Sequence, residues 1–297
     1  MMAVVEFRGI KRRFTPDRWV LDGVSFGVEK GEVVGLVGRN GAGKTTLIRI
    51  AMGMIAPQAG EVSIFDMDPR RYAVEVKGRV GYVSENQILP SFMKVGEVLA
   101  LYEALYPQWD GDAARRMCEE YRLAPDTRIK TLSKGQARQV ALLCAISHRP
   151  ELLLLDEPAG GLDPAARRDF VETAIDFLSE AGSSILFSSH HMGDMERLAT
   201  RLVMLHDGQV LLNDPIEALN EQFTMVVVPD GQETRERLRG HAECLSVRER
   251  SDGVHAVLRY PADQAAARVR ETLGLEVTHA TRIGLEEMFI ELVGGRA

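Results

Sequence analysis

No apolar run in this 297-residue chain approaches the 18 or more residues of a membrane span. The longest candidates, Val140–Ile146 and Leu152–Leu155, are the size of core elements. Cysteine is scarce: the three present, Cys118, Cys144 and Cys244, are widely separated and form no CxxC pair. That excludes a disulfide framework and a zinc-finger site, and leaves the thiols as small buried hydrophobes. A basic excess is also missing. With 36 Lys and Arg against 43 Asp and Glu the net charge is −7, which argues against duplex nucleic acid as the main partner. The first residues, MMAVVEFRGIKRRF, lack the basic start, apolar stretch and small-residue cleavage site of a secretory signal, so a cytosolic chain is expected. Internal repeats and low-complexity tracts are absent. The 45% apolar and 27% charged residues are those of an ordinary globular chain, which excludes disorder and collagen-like structure.

What is present is an alternation of short β-branched runs with longer helical patterns through about residue 220, the mark of an α/β fold. Expected strands are Val4–Phe7, Val20–Phe26, Val33–Val37, Glu61–Ile64, Val80–Val83, Leu152–Asp156, Ser184–Ser188, Leu202–Leu205 and Gln209–Leu212. Val33–Val37 and Leu152–Asp156 are apolar almost without alternation, as strands buried on both faces of a parallel sheet should be. Over residues 88–149 the strand signal gives way to helical spacing, with helices expected at Val95–Leu105 and Gly111–Tyr121, so this block reads as a helical insert. From residue 221 to 297 the texture changes to a small α+β appendage, acidic on balance, with strands at Thr224–Val228 and Val254–Tyr260 and helices at Gln264–Leu273 and Leu285–Leu292.

The strongest local signal is Gly38-Arg39-Asn40-Gly41-Ala42-Gly43-Lys44-Thr45-Thr46, which fits G-x-x-x-x-G-K-[ST] between a buried strand and an apolar helix expected at Leu47–Met54. Glycines there let consecutive backbone N–H groups converge on phosphate oxygens, and the helix N-terminus adds positive potential. Lys44 is placed to reach β- and γ-phosphates, and the Thr45 hydroxyl to ligate Mg²⁺. A second piece, Leu152-Leu153-Leu154-Leu155-Asp156-Glu157-Pro158, ends a buried strand in two carboxylates. A carboxylate in such a place is costly unless a cation or hydrogen bonds hold it. Asp156 suits a Mg²⁺ contact, and Glu157 is positioned to polarise a water for attack on a γ-phosphate.

Those two motifs fit several kinds of ATPase; Leu132-Ser133-Lys134-Gly135-Gln136 narrows the choice. It resembles the LSGGQ signature of ATP-binding-cassette (ABC) proteins, with Lys134 in place of the usual middle glycine. Gly161-Leu162-Asp163-Pro164 is similar to that family's D-loop, and Ser188-Ser189-His190 to its switch histidine. Phe14 is placed like the aromatic that stacks on adenine. The Q-loop position is occupied by Glu85, with Gln87 two residues late; a Glu there is able to ligate Mg²⁺ but adds negative charge beside the γ-phosphate. The resemblance covers residues 3 to about 215, and the segment between Tyr82 and Gln136 is similar to bacterial ABC ATPases of the drug- and peptide-export type.

The resemblance implies a P-loop NTPase core that binds ATP and Mg²⁺ and hydrolyses ATP. It further implies a head-to-tail dimer with a second copy or a homologous ATPase, in which Ser133, Lys134, Gly135, Gln136 and Asp163 of one chain close on nucleotide held by the other. Glu157 is then the base, and His190 contacts the γ-phosphate. Separate permease subunits are implied, docked on the helical insert around Glu85–Lys94, with the chain at the cytoplasmic face of the membrane and no nucleic-acid partner. Three alternatives stay open: a non-transport ABC ATPase of translation or repair, a module that binds ATP without turnover, and an importer ATPase. The ending Leu285-Glu286-Glu287-Met288-Phe289-Ile290 is similar to a C-terminal segment of export-type members.

Overall fold

A computed structural model describes residues 3–85, 89–158, 160, 162, 164–179 and 182–293. Gln87, Gly161 and Asp163 lie outside the described residues. The chain divides into two compact units, residues 1–213 and 214–297.

The first unit opens with two long strands, β1 (Ala3–Thr15) and β2 (Arg18–Glu29). They pair antiparallel, and the buried β3 (Val33–Val37) follows. The phosphate-binding loop then leads into α1 (Lys44–Ala51), and β4 (Ala59–Ile64) joins β1 to make a three-stranded sheet in the order β2-β1-β4. Both β1 and β2 outrun the short strands expected from sequence. The distal half of β1, Ile10-Lys11-Arg12-Arg13-Phe14, lacks apolar alternation and is held by pairing and by ion pairs such as Lys11–Asp22, 2.7 Å apart across the ladder.

After α2 (Ala73–Arg79) comes β5 (Val80–Val83), followed by the helical insert. The insert contains α3 (Val95–Leu105), α4 (Gly111–Glu120) and a 3₁₀ turn at Ile129–Thr131, and runs into α5 (Lys134–Ile146). Asp110 caps α4 by accepting from the Ala113 amide at 2.8 Å. Its carboxyl is held below the usual range first by that bond and then by Arg149, which grips Asp110 at 2.6 Å and so pins the start of α4 to the end of α5.

The remaining elements of this unit are β6 (Leu152–Asp156), α6 (Pro164–Ser179), β7 (Ser184–Ser188), α7 (Met192–Leu198), β8 (Arg201–His206) and β9 (Gln209–Pro215). Six strands form the central sheet in the order β5-β6-β7-β3-β8-β9, parallel from β5 to β8. β6 and β7 are buried along their whole length, in keeping with the consecutive apolar residues Leu152–Leu155 and Ile185–Phe187 at their centres. β8 and β9 are joined through Asp207-Gly208, whose φ values of 45° and 78° are those of a tight hairpin turn. α1 lies in an apolar cluster shared by both sheets: its Leu47, Ile48 and Ile50 are fully buried among Phe7, Ile10 and Leu21 of the antiparallel sheet and Leu36, Leu154 and Leu186 of the parallel one. A helix buried on more than one face has little freedom to shift, so the loop at its N-terminus is fixed from below.

The second unit begins with α8 (Ile216–Gln222) and continues β10 (Thr224–Val228), α9 (Gln232–Arg239), β11 (Cys244–Arg250), β12 (Gly253–Leu258), α10 (Ala262–Leu273), β13 (His279–Arg282) and α11 (Leu285–Val293). The β-α-β-β-α-β run makes a four-stranded antiparallel sheet in the order β11-β12-β10-β13. Val226, Val228, Val254, Ala256 and Leu258 line one face against Leu238 of α9 and Ala265 and Val269 of α10. All three cysteines are free; burial pushes the Cys118 and Cys144 thiols up and Cys244 to about 11, in keeping with inert packing roles.

Candidate functional site

The parallel strands bring the motif residues to one edge of the sheet. Leu36 of β3 pairs in register with Ser188 of β7, and Ser188 pairs with Asp156 of β6, so the three chain segments leave the sheet at one level. Ligand sites of α/β folds form at this carboxyl edge. The loop after β3 turns twice through left-handed backbone, with Gly41 at φ 81° and Gly43 at φ 105°. A Cβ on Gly43 would stand 2.6 Å from Leu21 Cδ2 and 2.9 Å from the Val20 carbonyl, so only glycine fits. Gly43 caps α1, which therefore starts on Lys44 itself rather than at Leu47, and the helix's free amides face the loop.

Lys44 is 6% exposed; its Nζ donates to the Gly38 carbonyl at 2.7 Å and lies 3.2 Å from Glu157 Oε1. The Thr45 hydroxyl donates to Asp156 Oδ1 at 3.0 Å, and the Ser188 hydroxyl to the same oxygen at 3.1 Å. Ser188 Oγ also accepts from the Glu157 amide at 2.8 Å. One hydroxyl thereby ties the Asp156 carboxylate and the Glu157 backbone to the neighbouring strand. Asp156 is 1% exposed, and its carboxyl is raised above the usual range, first by burial and only then by the Glu157 charge. Glu157 has left-handed backbone, φ 46°, rare for a residue with a side chain. Its second oxygen, Oε2, meets His190 Nδ1 at 2.8 Å. The carboxylate is thus held between an ammonium and an imidazole.

Lys44, Thr45, Glu157 and His190 open on one cleft of about 470 Å³, lined also by Val20, Arg39, Asn40, Gly41, Ala42, Gly43, Thr46, Glu85 and Gly160, with Asp156 and Ser188 behind its wall through their bonds to Thr45 and Glu157. Glu85 is accordingly brought to the phosphate loop. Phe14 is not among the lining residues: it is 59% exposed on the long hairpin, under the Arg12 guanidinium at 4.9 Å, and the residue that lines the cleft from β2 is Val20. Ser133, Lys134, Gly135 and Gln136 do not line their own chain's cleft either. Ser133 and Gln136 form a reciprocal capping box at the start of α5, with Gln136 N to Ser133 Oγ at 3.2 Å and Ser133 N to Gln136 Oε1 at 3.0 Å. Ser133 and Lys134 are exposed.

Two contributions escape a reading of the sequence alone. Ser188 stood out only as a neighbour of His190, although a hydroxyl ending the apolar strand Ser-Ile-Leu-Phe-Ser was the available signal. Arg138, four residues into α5, carried no sequence signal; its guanidinium reaches the carbonyls of Glu85, Glu157 and Pro158.

The donor set fits a small hard cation. A threonine hydroxyl and a buried carboxylate meet at 3.0 Å, with Glu85 opening on the same cleft. Among the described residues no three His, Cys, Asp or Glu side chains converge as a cage. That is the arrangement for Mg²⁺, which takes one or two protein oxygens and the rest from phosphates and water.

Comparison with known proteins agrees with this geometry. The ABC transporter family profile matches residues 21–160. The Nod factor export ATP-binding protein I of Burkholderia lata is 30% identical over 99% of this chain and 98% of its own length. The ABC transporter ATP-binding protein YtrB of Bacillus subtilis is 27% identical over 99% of both chains. A solved ATP-binding subunit of an ABC transporter superposes with a TM-score of 0.66 at 29% identity, over 73% of this chain and 92% of that one.

Proposed function

Because this chain belongs to the ATP-binding subunits of ABC transporters, and is an ATPase of that family, we propose that it drives an exporter by closing and reopening as a head-to-tail dimer. The observation that supports the hydrolytic half is the Glu157 carboxylate, held 3.2 Å from Lys44 and 2.8 Å from His190 at the mouth of the phosphate loop. In this reading Lys44 and the Gly41–Thr46 amides bind the β- and γ-phosphates. Thr45 and Asp156, with Glu85 beside them, would hold Mg²⁺, which supplies charge neutralisation on the phosphates. Glu157 accepts the proton of the attacking water, and His190 keeps that carboxylate in place through Nδ1.

Ser133, Lys134, Gly135, Gln136 and Asp163 would complete the partner's site. Support comes from the exposed, helix-starting position of Ser133 and Lys134 away from their own cleft. A closed dimer of this kind gives two composite sites, and loss of the γ-phosphate releases them. No helix among the described residues is long and apolar enough to cross a membrane. Transport would therefore use separate permease subunits, docked on the helical insert and the Glu85–Lys94 segment and holding the chain at the cytoplasmic face. The direction of transport follows the export named for the Burkholderia relative.

The test is the steady-state ATPase rate of Glu157→Gln. It should retain MgATP binding while turnover falls about 100-fold or more, the size of a general-base contribution. Turnover within tenfold of wild type would remove Glu157 from the role.

A further inference from the structure

Arg138 belongs to α5, the helix that begins with the signature, yet its guanidinium spends its donors on backbone outside that helix. Nη2 donates to the Glu85 carbonyl at 3.0 Å, and Nη1 to the Glu157 carbonyl at 3.4 Å and to the Pro158 carbonyl. It is half-buried, and the segments it joins come close together elsewhere too: a Cβ on Gly160 would stand 3.4 Å from the Glu157 carbonyl, 3.8 Å from Arg138 Nη2 and 3.9 Å from Glu85 Cγ. Burial lowers the pKa of this guanidinium, and the Glu85 charge opposes that, so the carboxylate is near enough to be felt.

The backbone that Arg138 grips is strained. Glu157 has φ 46°, a conformation that a residue with a Cβ keeps only when its surroundings hold it. The amide side of Glu157 is fastened by Ser188, and its carbonyl side by Arg138. With both ends fixed, the carboxylate is aimed between Lys44 and His190. A planar guanidinium presents five donors spread over three nitrogens, so it can span carbonyls of separate segments; an ammonium has three donors on a single nitrogen and cannot reproduce that spread.

We propose that Arg138 is a positioning residue for ATP hydrolysis, which fastens the strained Glu157–Pro158 backbone and the Glu85 loop to the signature helix so that the base is aimed only when that helix is in place. The proposal rests on the reading of Glu157 as the base. It makes the signature helix and the hydrolytic carboxylate of one chain mechanically continuous, whatever the signature touches on another chain.

Four variants test it: Arg138→Ala, Arg138→Lys, Glu157→Gln and the Arg138→Ala/Glu157→Gln double. MgATP affinity, single-turnover hydrolysis and melting temperature are measured for each in the full chain. Arg138→Ala should lose about 10- to 100-fold in rate, the scale of a small misplacement of a reacting group, with ATP affinity within threefold of wild type. Arg138→Lys should recover less than a tenth of the loss while melting as wild type does, which separates lost aim from lost fold. In the double variant the Arg138 effect should vanish, because no base remains to be aimed. An Arg138→Ala rate within threefold of wild type would overturn the proposal, as would full rescue by lysine or an equal loss with Glu157 already replaced. A fast Glu157→Gln single variant would overturn the base reading on its own, whatever Arg138 does.

Discussion

Replacing Asp156 by Asn should make the ligand-free protein more stable and the enzyme inactive, two effects of opposite sign from one atom. Asp156 is buried at the end of β6, and the groups that hydrogen-bond its carboxylate are the neutral hydroxyls of Thr45 and Ser188. An ionised carboxylate in that setting pays desolvation that two hydroxyls only partly return, which is why its pKa is raised, chiefly by burial. Asparagine keeps an acceptor oxygen for both hydroxyls and removes the charge. Relief of about 1–2 kcal/mol is reasonable for such a swap, and about 2–8 °C in melting temperature follows for a unit of this size.

The pH dependence has a definite sign. An acid whose folded-state pKa is raised binds its proton more tightly when folded, so its charged form burdens the fold at neutral pH, and that burden lifts as pH falls through the raised value. The gap between Asp156→Asn and wild type should therefore be widest near pH 7 and close as the buffer is taken toward the ordinary aspartate range. The assay is differential scanning calorimetry in EDTA at several pH values, followed by the same scans with MgATP. Wild type should gain stability from MgATP, and the variant should gain far less and show no hydrolysis. A variant that melts below wild type in EDTA at neutral pH would refute the reasoning, since it would mean that the buried charge is satisfied by the protein alone.

Other substitutions probe the same scaffold. Gly43→Ala places a Cβ 2.9 Å from the Val20 carbonyl at φ 105°; it should destabilise the loop by about 1–3 kcal/mol and weaken nucleotide binding, read by titration with a fluorescent ATP analogue. Ser188→Ala removes the acceptor of the Glu157 amide and a donor to Asp156, so hydrolysis should slow about 10-fold while ATP affinity holds, a split of kcat from binding that urea melts alone would not give. In the second unit Glu291 is 3% exposed and takes Arg248 Nε at 3.2 Å as well as Arg250. Glu291→Ala should cost about 1–3 kcal/mol, less than a fully buried pair because both arginines still reach water, and amide exchange in Leu285–Val293 should quicken.

The core and the phosphate cleft were legible in the sequence because their signals are dense. β3 and β6 are unbroken apolar runs, and the glycines, Lys44 and Thr45 are contiguous between a strand and a helix. What was hidden depends on tertiary partners. β11, Cys-Leu-Ser-Val-Arg-Glu-Arg, and β13, His-Ala-Thr-Arg, are edge strands whose charged outer faces erase the alternation on which strand reading relies. α9, Gln-Glu-Thr-Arg-Glu-Arg-Leu-Arg, buries only Leu238, so it has no apolar stripe to detect. Phe14 matches an adenine-stacking aromatic by its distance along the chain and stands exposed on the β1–β2 hairpin, whereas Val20 of β2, which lines the cleft wall, is marked by no motif. The role of Ser188 arises from strand register, of which a hydroxyl ending an apolar strand is the one linear trace, and that of Arg138 from the packing of α5, which leaves none.

Sedimentation velocity of Glu157→Gln at saturating MgATP tests most directly whether two chains are bridged by nucleotide. A species of twice the 32.9 kDa chain mass, reverting to single chains when MgADP replaces MgATP, is the expected result. Single chains throughout, even with the permease subunits present, would contradict it.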